Sequence, residues 1–360
     1  MSQTPIKILL VEDSPVAMAI LQKVLQSSPE IKIVGTACNG KEALNLIPQL
    51  DPHVICTDFH MAQMDGLELT RQVMAKYPRP ILVISNSVQA NDPETIFKLM
   101  QAGAIEIFPK PITGLPSDYD RIRESLITKI KVLAGVKVFT KPLSKIVPSK
   151  AETVPTLSTK ISVPKSFKVT APIKIVTIGA STGGPQALQK VLSPLPKDFP
   201  VPIICTQHIS EGFLPGFVDW LASECHLKVT IATEGELPLP GTIYFAPDGR
   251  HLELNSLGKF IHKTLGTVDG HCPSVTVMFQ SVAKFYGNTT LGILLTGMGK
   301  DGAAGMKTIE QAGGITIAQD EASSVVFGMP KEAIALGGAQ YILPVKEIAP
   351  SLLKIFNLSF

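Results

Sequence analysis

Apolar and polar positions alternate through the first 134 residues with one rhythm, in which a short β-rich apolar run is followed by a stretch whose apolar residues recur at helical spacing. The predicted strands are Ile6–Val11, Ile31–Ala37, Val54–Thr57, Ile81–Ile84 and Ile105–Phe108, and the predicted helices are Pro15–Gln26, Gly40–Gln49, Gly66–Tyr77, Pro93–Ala102 and Asp118–Ala134. Five βα units of this kind predict a doubly wound parallel sheet of flavodoxin type.

The rhythm then stops. Over residues 135–171 Lys, Ser, Thr, Pro and Val dominate, with Pro142, Pro148, Pro155 and Pro164 too close together for a helix and too regular for a central strand. An extended, cationic, protease-sensitive linker is expected there. From Ile173 the alternation resumes, with strands expected at Ile173–Ile178, Val201–Thr206, Val229–Ala232, Thr290–Leu295 and Ile315–Ala318. Helices are expected around Pro185–Leu192, Pro215–Ser223, Ser274–Tyr286, Asp301–Gln311 and Pro330–Ala335. A β-hairpin, Thr242–Ala246 with Leu252–Leu254 across Pro247-Asp248-Gly249-Arg250, is expected to interrupt this second sheet and to lie at its edge. The chain thus divides into an α/β domain over 5–134, a linker over 135–171 and a second α/β domain over 172–360.

Composition adds limits to this picture. A length of 360 residues suits two domains, each with its own core, and 45% hydrophobic against 18% charged residues argues against long disorder. The net charge of +3 is too small to imply a nucleic-acid partner. Its excess is concentrated in residues 137–170, where Lys137, Lys141, Lys145, Lys150, Lys160, Lys165 and Lys168 face Glu152 alone. Five cysteines without a C-x-x-C pair fit free thiols in a reducing compartment. The pairs Cys205/His208, Cys225/His226 and His271/Cys272 raise a metal site, but without paired-ligand spacing none is expected. No signal-peptide apolar region opens the chain and no apolar run reaches about 18 residues, so a cytoplasmic protein without membrane insertion is expected.

Candidate chemistry sits at the ends of the strands. In a doubly wound sheet the carboxyl ends of the strands share one edge, so Glu12 and Asp13 after the first strand, Asp58 after the third and Lys110 after the fifth converge. Three carboxylates that close call for a divalent cation, and hard oxygen donors suit Mg²⁺. A carboxylate flanked by metal and ammonium can attack a phosphoryl group, which makes Asp58 the predicted phosphorylation site. Ser85, after the fourth strand, is placed to hydrogen-bond the phosphoryl oxygens. With Lys110-Pro111 after Phe108 and Met64-Asp65-Gly66 just past Asp58, residues 5–134 resemble the receiver domain of response regulators. The resemblance implies Glu12 and Asp13 as the acidic metal pair, Asp58 as phospho-acceptor, Ser85 as switch hydroxyl, Lys110 as essential lysine, and the main-chain carbonyl of His60 as a further metal ligand. Ala62 stands where that family usually has proline, and Ile107 where an aromatic switch residue is common.

In the second domain the run Gly179-Ala180-Ser181-Thr182-Gly183-Gly184 breaks an apolar strand and leads into a helix, which is how a serine nucleophile is presented beside helix N-terminal amides. A serine needs a base and an orienting carboxylate. His208 ends the next strand, and the glycine-rich turn Thr296-Gly297-Met298-Gly299-Lys300-Asp301-Gly302 delivers Asp301 to the same rim. The order Ser, His, Asp differs from that of α/β-hydrolases, and Asp301 could also cap its own helix before Gly302. Two other readings compete: a non-enzymatic signalling adaptor, and a nucleotide site at Gly179–Gly184. Neither G-x-G-x-x-G nor G-x-x-x-x-G-K-[ST] is present there, which disfavours the nucleotide site.

Four blocks, Gly179–Gly184, Gln207-His208, Leu295–Gly302 and Ala318-Gln319-Asp320-Glu321-Ala322-Ser323, together resemble the catalytic domain of the chemotaxis protein-glutamate methylesterases. Joined to a receiver, that resemblance implies two doubly wound parallel-sheet domains, a flavodoxin-like receiver and a Rossmann-like methylesterase domain with a β-hairpin insert. It further implies a two-component phosphoprotein of the chemotaxis system that hydrolyses glutamate γ-methyl esters, with glutamine deamidation as a second activity. The implied Ser-His-Asp triad is Ser181, His208 and Asp301, with Thr182 and Met298 lining the site and Arg250 as a cation at the substrate rim. The implied partners are a chemotaxis histidine kinase as phosphodonor and methylated chemoreceptor helices as substrate; the implied cofactor is Mg²⁺ in the receiver, with none for the esterase chemistry. Cys272, Thr276, Gln280 and Ser210 depart from the family's usual arginine, aspartate, arginine and proline.

Overall fold

A computed structural model describes residues 4–85, 93–110, 116–141, 167–169, 171–264 and 266–358. Most of the predicted linker therefore lies outside the described residues. The first domain contains β1 (Ile6–Val11), α1 (Pro15–Gln26), β2 (Ile31–Ala37), α2 (Gly40–Leu50), β3 (Val54–Thr57), α3 (Gly66–Lys76), β4 (Ile81–Ser85), α4 (Pro93–Ala102), β5 (Glu106–Pro109) and α5 (Pro116–Ala134). Side-chain oxygens start three of these helices: Ser14 accepts from the N–H of Ala17, Asn39 from that of Glu42 and Asp65 from that of Glu68. The strands pair in parallel in the order β2-β1-β3-β4-β5, the flavodoxin-like order expected from the alternation. All four residues of β3 are buried, so its central place is dictated by burial on both faces.

The second domain contains β6 (Ile175–Ala180), α6 (Gly184–Leu192), β7 (Ile203–Gln207), α7 (Leu214–Glu224), β8 (Lys228–Ile231), β9 (Thr242–Phe245), β10 (His251–Leu254), β11 (Phe260–Lys263), α8 (Val275–Tyr286), β12 (Thr290–Leu294), α9 (Ala303–Gln311), β13 (Ile315–Gln319), α10 (Met329–Ala335), β14 (Tyr341–Leu343) and α11 (Val345–Ile355). Seven of its strands form one parallel sheet in the order β14-β13-β12-β6-β7-β9-β8. After β6 the chain winds toward β7, and after β12 it winds toward β13 on the other side. The crevice between the carboxyl ends of β6 and β12 is therefore the topological switch point, where open α/β sheets hold their ligands.

The hairpin expected from the sequence is drawn differently. Thr242–Phe245 is an internal parallel strand, with Ile243 opposite both Ile203 of β7 and Val229 of β8. All four of its side chains are buried, which an edge strand with one solvated face would not require. The antiparallel hairpin joins β10 to β11 instead, pairing Leu254 with Phe260, and stands as a separate two-stranded sheet. Three elements have no sequence counterpart: β11 carries His262 and Lys263, β14 is only three residues long, and α11 contains Pro350.

The two domains pack through α4 and α7. Phe97 of α4 is fully buried and stacks on Trp220 of α7, with ring centroids 5.5 Å apart and planes 17° apart, while Phe217 closes the cluster at 5.5 Å. Around these rings Gln101 donates to Glu224 at 3.0 Å, and Gln186 of α6 donates to the carbonyl of Ala104 at 2.8 Å. Trp220 is the single tryptophan of the chain and 1% exposed, so its fluorescence reports on this interface. Phe97→Ala is expected to open the stack and to raise acrylamide quenching of Trp220 several-fold, as checked by fluorescence titration of both proteins.

Candidate active site

Ser181 follows β6 in a turn fixed on both sides. Its N–H donates to the carbonyl of Thr296 at 3.0 Å, and its carbonyl accepts from the N–H of Gly184 at 2.7 Å and from the Gln207 side chain at 2.9 Å. Gly183 takes φ +75°, where a side chain would be strained, and a Cβ there would also run into Val325. Gly297 allows the neighbouring turn to close in, since a Cβ on it would lie 2.7 Å from Cβ of Ser181. Ser181 and Thr182 are buried in this crevice, at 8% and 6% exposure. The N–H groups of Thr182 and Met298 donate no hydrogen bond among the described residues, which leaves them available to an oxyanion.

His208 is one step past the paired Ala180 and Gln207, and its N–H donates to the carbonyl of Ala180 at 2.9 Å. Its Nε2 is 2.9 Å from Oδ2 of Asp301, while Nδ1 is buried and has no hydrogen-bond partner among the described residues. Because an ionised carboxylate only accepts, the hydrogen-bond network assigns the ring proton to Nε2 and the lone pair to Nδ1.

Asp301 is fully buried, and its carboxylate is saturated. Besides His208, it accepts from Ser274 Oγ at 2.8 Å, from the N–H of Val275 at 2.8 Å, from that of Thr276 at 2.9 Å and from that of Gly302 at 2.8 Å. Burial alone would raise its pKa, but the hydrogen bond and charge of His208, with the Thr276 bonds, outweigh it and hold the carboxyl well below the usual carboxylate range. The alternative in which Asp301 caps its own helix is corrected, since the cap position of α9 is Gly302, with no side-chain cap. Asp301 serves the N-terminus of α8 instead, where the helix dipole favours a negative charge.

A second imidazole, not foreseen as part of this group, completes it. The ring of His271 lies 3.8 Å from that of His208 with only 4° between their planes. Burial, reinforced by the neighbouring His208 ring, pushes His271 down to about 4, so it is neutral at neutral pH. The sequence singled out His271 only as a neighbour of Cys272, and nothing in one dimension signals a ring stack. Ligand atoms of His208, His271 and Asp301 lie within 4.8 Å of one another, yet parallel rings direct their in-plane lone pairs side by side and do not converge on one ion. None of the Cys/His pairs forms such a cluster among the described residues.

A cavity of about 500 Å³ covers the site. Ser181, Thr182, His271, Met298 and Gly299 line one side, and Glu124, Thr128 and Lys129 of α5 with Glu106 of β5 line the other. Arg250 is exposed in the turn between β9 and β10 and is not among the lining residues. Thr276 has a fixed internal task, because its Oγ1 accepts from the N–H of Gly302 at 2.7 Å. Gln280 lines a different cavity, between α8 and the β10–β11 hairpin.

In the first domain the strand ends meet as expected. Lys110 Nζ lies 2.8 Å from Asp58 Oδ2 and 3.0 Å from Glu12 Oε1, and the Asp58 Oδ1 accepts from the N–H of Phe59. Glu12 and Asp58 are buried and Asp13 is exposed, with ligand oxygens of the three within 4.8 Å of one another. Burial raises the Glu12 pKa against the opposing pull of Lys110; for Lys110 burial works downward, but its bonds to Asp58 and Glu12 raise it. Three converging carboxylate groups around one ammonium form a hard-oxygen set that suits Mg²⁺. Ser85 is buried at the end of β4, and its carbonyl accepts from the N–H of Lys110 at 2.8 Å. His60 follows on the loop with its ring against Phe59.

The family model described as CheB methylesterase matches residues 176–352, and that described as response regulator receiver domain matches residues 8–115. A protein-glutamate methylesterase/protein-glutamine glutaminase of Syntrophus aciditrophicus is 42% identical over 97% of this chain and 98% of its own length. One from Nitrosospira multiformis is 40% identical over 97% of both chains. The crystal structure of the Thermotoga maritima CheB methylesterase catalytic domain aligns at 39% identity with a TM-score of 0.50, covering 51% of this chain and 100% of that one.

Asp301→Asn is expected to cost about 3 kcal/mol, the scale for breaking a buried charged pair. Since the folded carboxyl titrates below its unfolded value, this stabilisation is complete above about pH 4 and is lost as pH falls through the lowered pKa. Urea unfolding of both proteins across that range checks it, and the gap should shrink only on the acid side.

Proposed function

This chain belongs to the CheB methylesterase family, in its receiver-linked form, and from that premise we propose a division of labour among its residues. The protein is a carboxylic ester hydrolase, a protein-glutamate methylesterase under receiver control. Its substrate is the glutamate γ-methyl ester of chemoreceptors, in keeping with the names of its relatives. The observation that carries the assignment of roles is the bond between His208 Nε2 and Asp301 beside a turn that holds Ser181.

Ser181 Oγ attacks the ester carbonyl as its proton passes to His208 Nδ1. Asp301 holds the ring and stabilises the imidazolium that forms, without itself becoming protonated. The N–H groups of Thr182 and Met298 donate to the carbonyl oxygen as negative charge develops on it. His208 returns the proton to departing methanol; it then takes one from water, which attacks the acyl carbonyl, and passes it to the departing Ser181 Oγ, releasing glutamate and restoring Ser181 and neutral His208. The same steps with ammonia as leaving group give the glutaminase activity carried in the relatives' names.

In the receiver, Asp58 accepts the phosphoryl group from a histidine kinase of the chemotaxis system. Glu12, Asp13, Asp58 and the His60 carbonyl would hold Mg²⁺, which when bound neutralises charge on the transferred oxygens. Lys110 orients Asp58, and Ser85 stands ready to hydrogen-bond the phosphoryl group. A receptor helix about 10 Å across cannot reach Ser181 while α5 covers it. Lys110 directly follows β5, and Glu106 of β5 lines the cover, where Lys129 of α5 lies 3.3 Å from it. Drawing Lys110 onto a phosphoryl group therefore pulls on the covering elements, and phosphorylation shifts the population toward an open state.

Methanol release from methylated receptor membranes, with and without a phosphodonor, tests these roles. Ser181→Ala is expected to lower release at least about a thousandfold without loss of fold. Asp58→Ala should abolish the response to phosphodonor, and removal of residues 1–136 should raise basal release. An isolated second domain no more active than the unphosphorylated whole would refute the covering role.

A further inference from the structure

We propose that His271 is a positioning residue for the hydrolytic reaction: its ring, stacked flat on His208, fixes the plane in which that imidazole exchanges protons between Ser181 and the departing group. The proposal rests on the roles just given to Ser181 and His208.

Asp301 secures one nitrogen of His208, but a single hydrogen bond leaves the ring free to rock about it. The face of His271, 3.8 Å away and within 4° of parallel, removes that freedom. It can do so because it is itself held. Val268 and His271 exchange two main-chain hydrogen bonds of 3.0 Å around the two-residue turn Asp269-Gly270. Both turn residues have positive φ, +51° and +83°, the geometry of a tight hairpin turn for which Asp-Gly is favoured. The ring is pinned a second time, since His271 Nδ1 donates to the carbonyl of Asp269 at 2.9 Å. Lys300 Nζ, 3.3 Å from Asp269, ties the turn to the Met298–Gly302 loop.

Stacking also requires that His271 stay uncharged when His208 takes a proton, because two adjacent imidazolium rings would repel. Burial and the His208 ring keep it neutral. The charged groups facing the pair are Asp301 beneath it, Asp269 and Lys300 beside it, and Glu106, Glu124 and Lys129 from the receiver. His271 thus supplies a flat, rigid and non-titrating wall, and its own acid–base chemistry is not used.

Phosphodonor-activated full-length protein acting on methylated receptor membranes tests this. His271→Leu is expected to lower kcat about tenfold, with KM within about twofold, by releasing the ring. His271→Phe, which keeps a flat face and cannot titrate, should retain at least about half of kcat and leave the acid limb of the pH profile unmoved. Gly270→Val keeps both imidazole side chains in the chain, and its Cβ meets nothing within 4 Å, but it disfavours the turn that positions His271; it should lower kcat as His271→Leu does. Thermal midpoints near that of the parent identify folded variants, and ¹⁵N spectra of the His208 ring should show one tautomer in the parent and Phe variant and a mixture in the Leu variant. Full kcat in His271→Leu, or equal losses in the Phe and Leu variants, would overturn the proposal. Ser181→Ala separates the two levels: activity there refutes the reaction roles, whereas an inactive Ser181→Ala beside a fully active His271→Leu refutes only the positioning.

Discussion

The carboxylate of Asp301 is the constraint on which the second domain's site depends. A fully buried charge has to recover its lost hydration from local donors, and Asp301 does so with His208, Ser274 and three main-chain N–H groups. Two of those N–H groups, of Val275 and Thr276, begin α8, so one side chain fastens the turn after β12 to a helix whose inner face is core. Met278, Phe279 and Val282 of α8 lie in the same buried cluster as Leu294 and Met306. The position of the imidazole is thereby linked to the packing of the whole domain, and not only to its own loop. Rigidity of this kind is what proton transfer within one crevice requires.

The receiver solves a related problem differently. Glu12 and Asp58 share Lys110, whose ammonium lies 2.8 Å from an oxygen of each. Asp301 is locked by five short contacts, whereas Asp58 is held by one main-chain N–H and by a side chain that arrives from the end of β5. That side chain, Lys110, directly follows β5, and Glu106 of β5 with α5 lines the cavity over Ser181. The crevice that holds Ser181 faces Glu106 and α5 across one cavity, while Asp58 and Lys110 lie outside its lining. The aromatic cluster of Phe97, Phe217 and Trp220 joins the two domains through α4 and α7.

Much of this was legible in the chain. Five βα units gave the first sheet almost residue for residue, because each strand is a short apolar run bounded by polar or turn residues. The meeting of Glu12, Asp58 and Lys110, and of His208 with Asp301, follows from one rule: parallel strands put their carboxyl ends on the same edge. What escaped depended on distance in three dimensions. Thr242–Phe245 reads equally well as hairpin or internal strand until its neighbours are known, and its burial decided the matter. Asp301 before a glycine reads as a cap for the following helix, and only the fold reveals that it accepts from the first N–H groups of α8, whose cap is Ser274. His271 carries no mark of its stacking partner, which is 63 residues away in the sequence. Arg250 is expected at the substrate rim, and the cavity over Ser181 is lined by other residues.

Covalent labelling of the serine tests the central claim most directly. A fluorophosphonate ester reacts with a serine that has a working base, and peptide mass mapping then locates the adduct. The account predicts modification at Ser181, faster in the presence of a phosphodonor and absent in His208→Ala. Labelling at another serine, or a rate at Ser181 indifferent to the loss of His208, would contradict it.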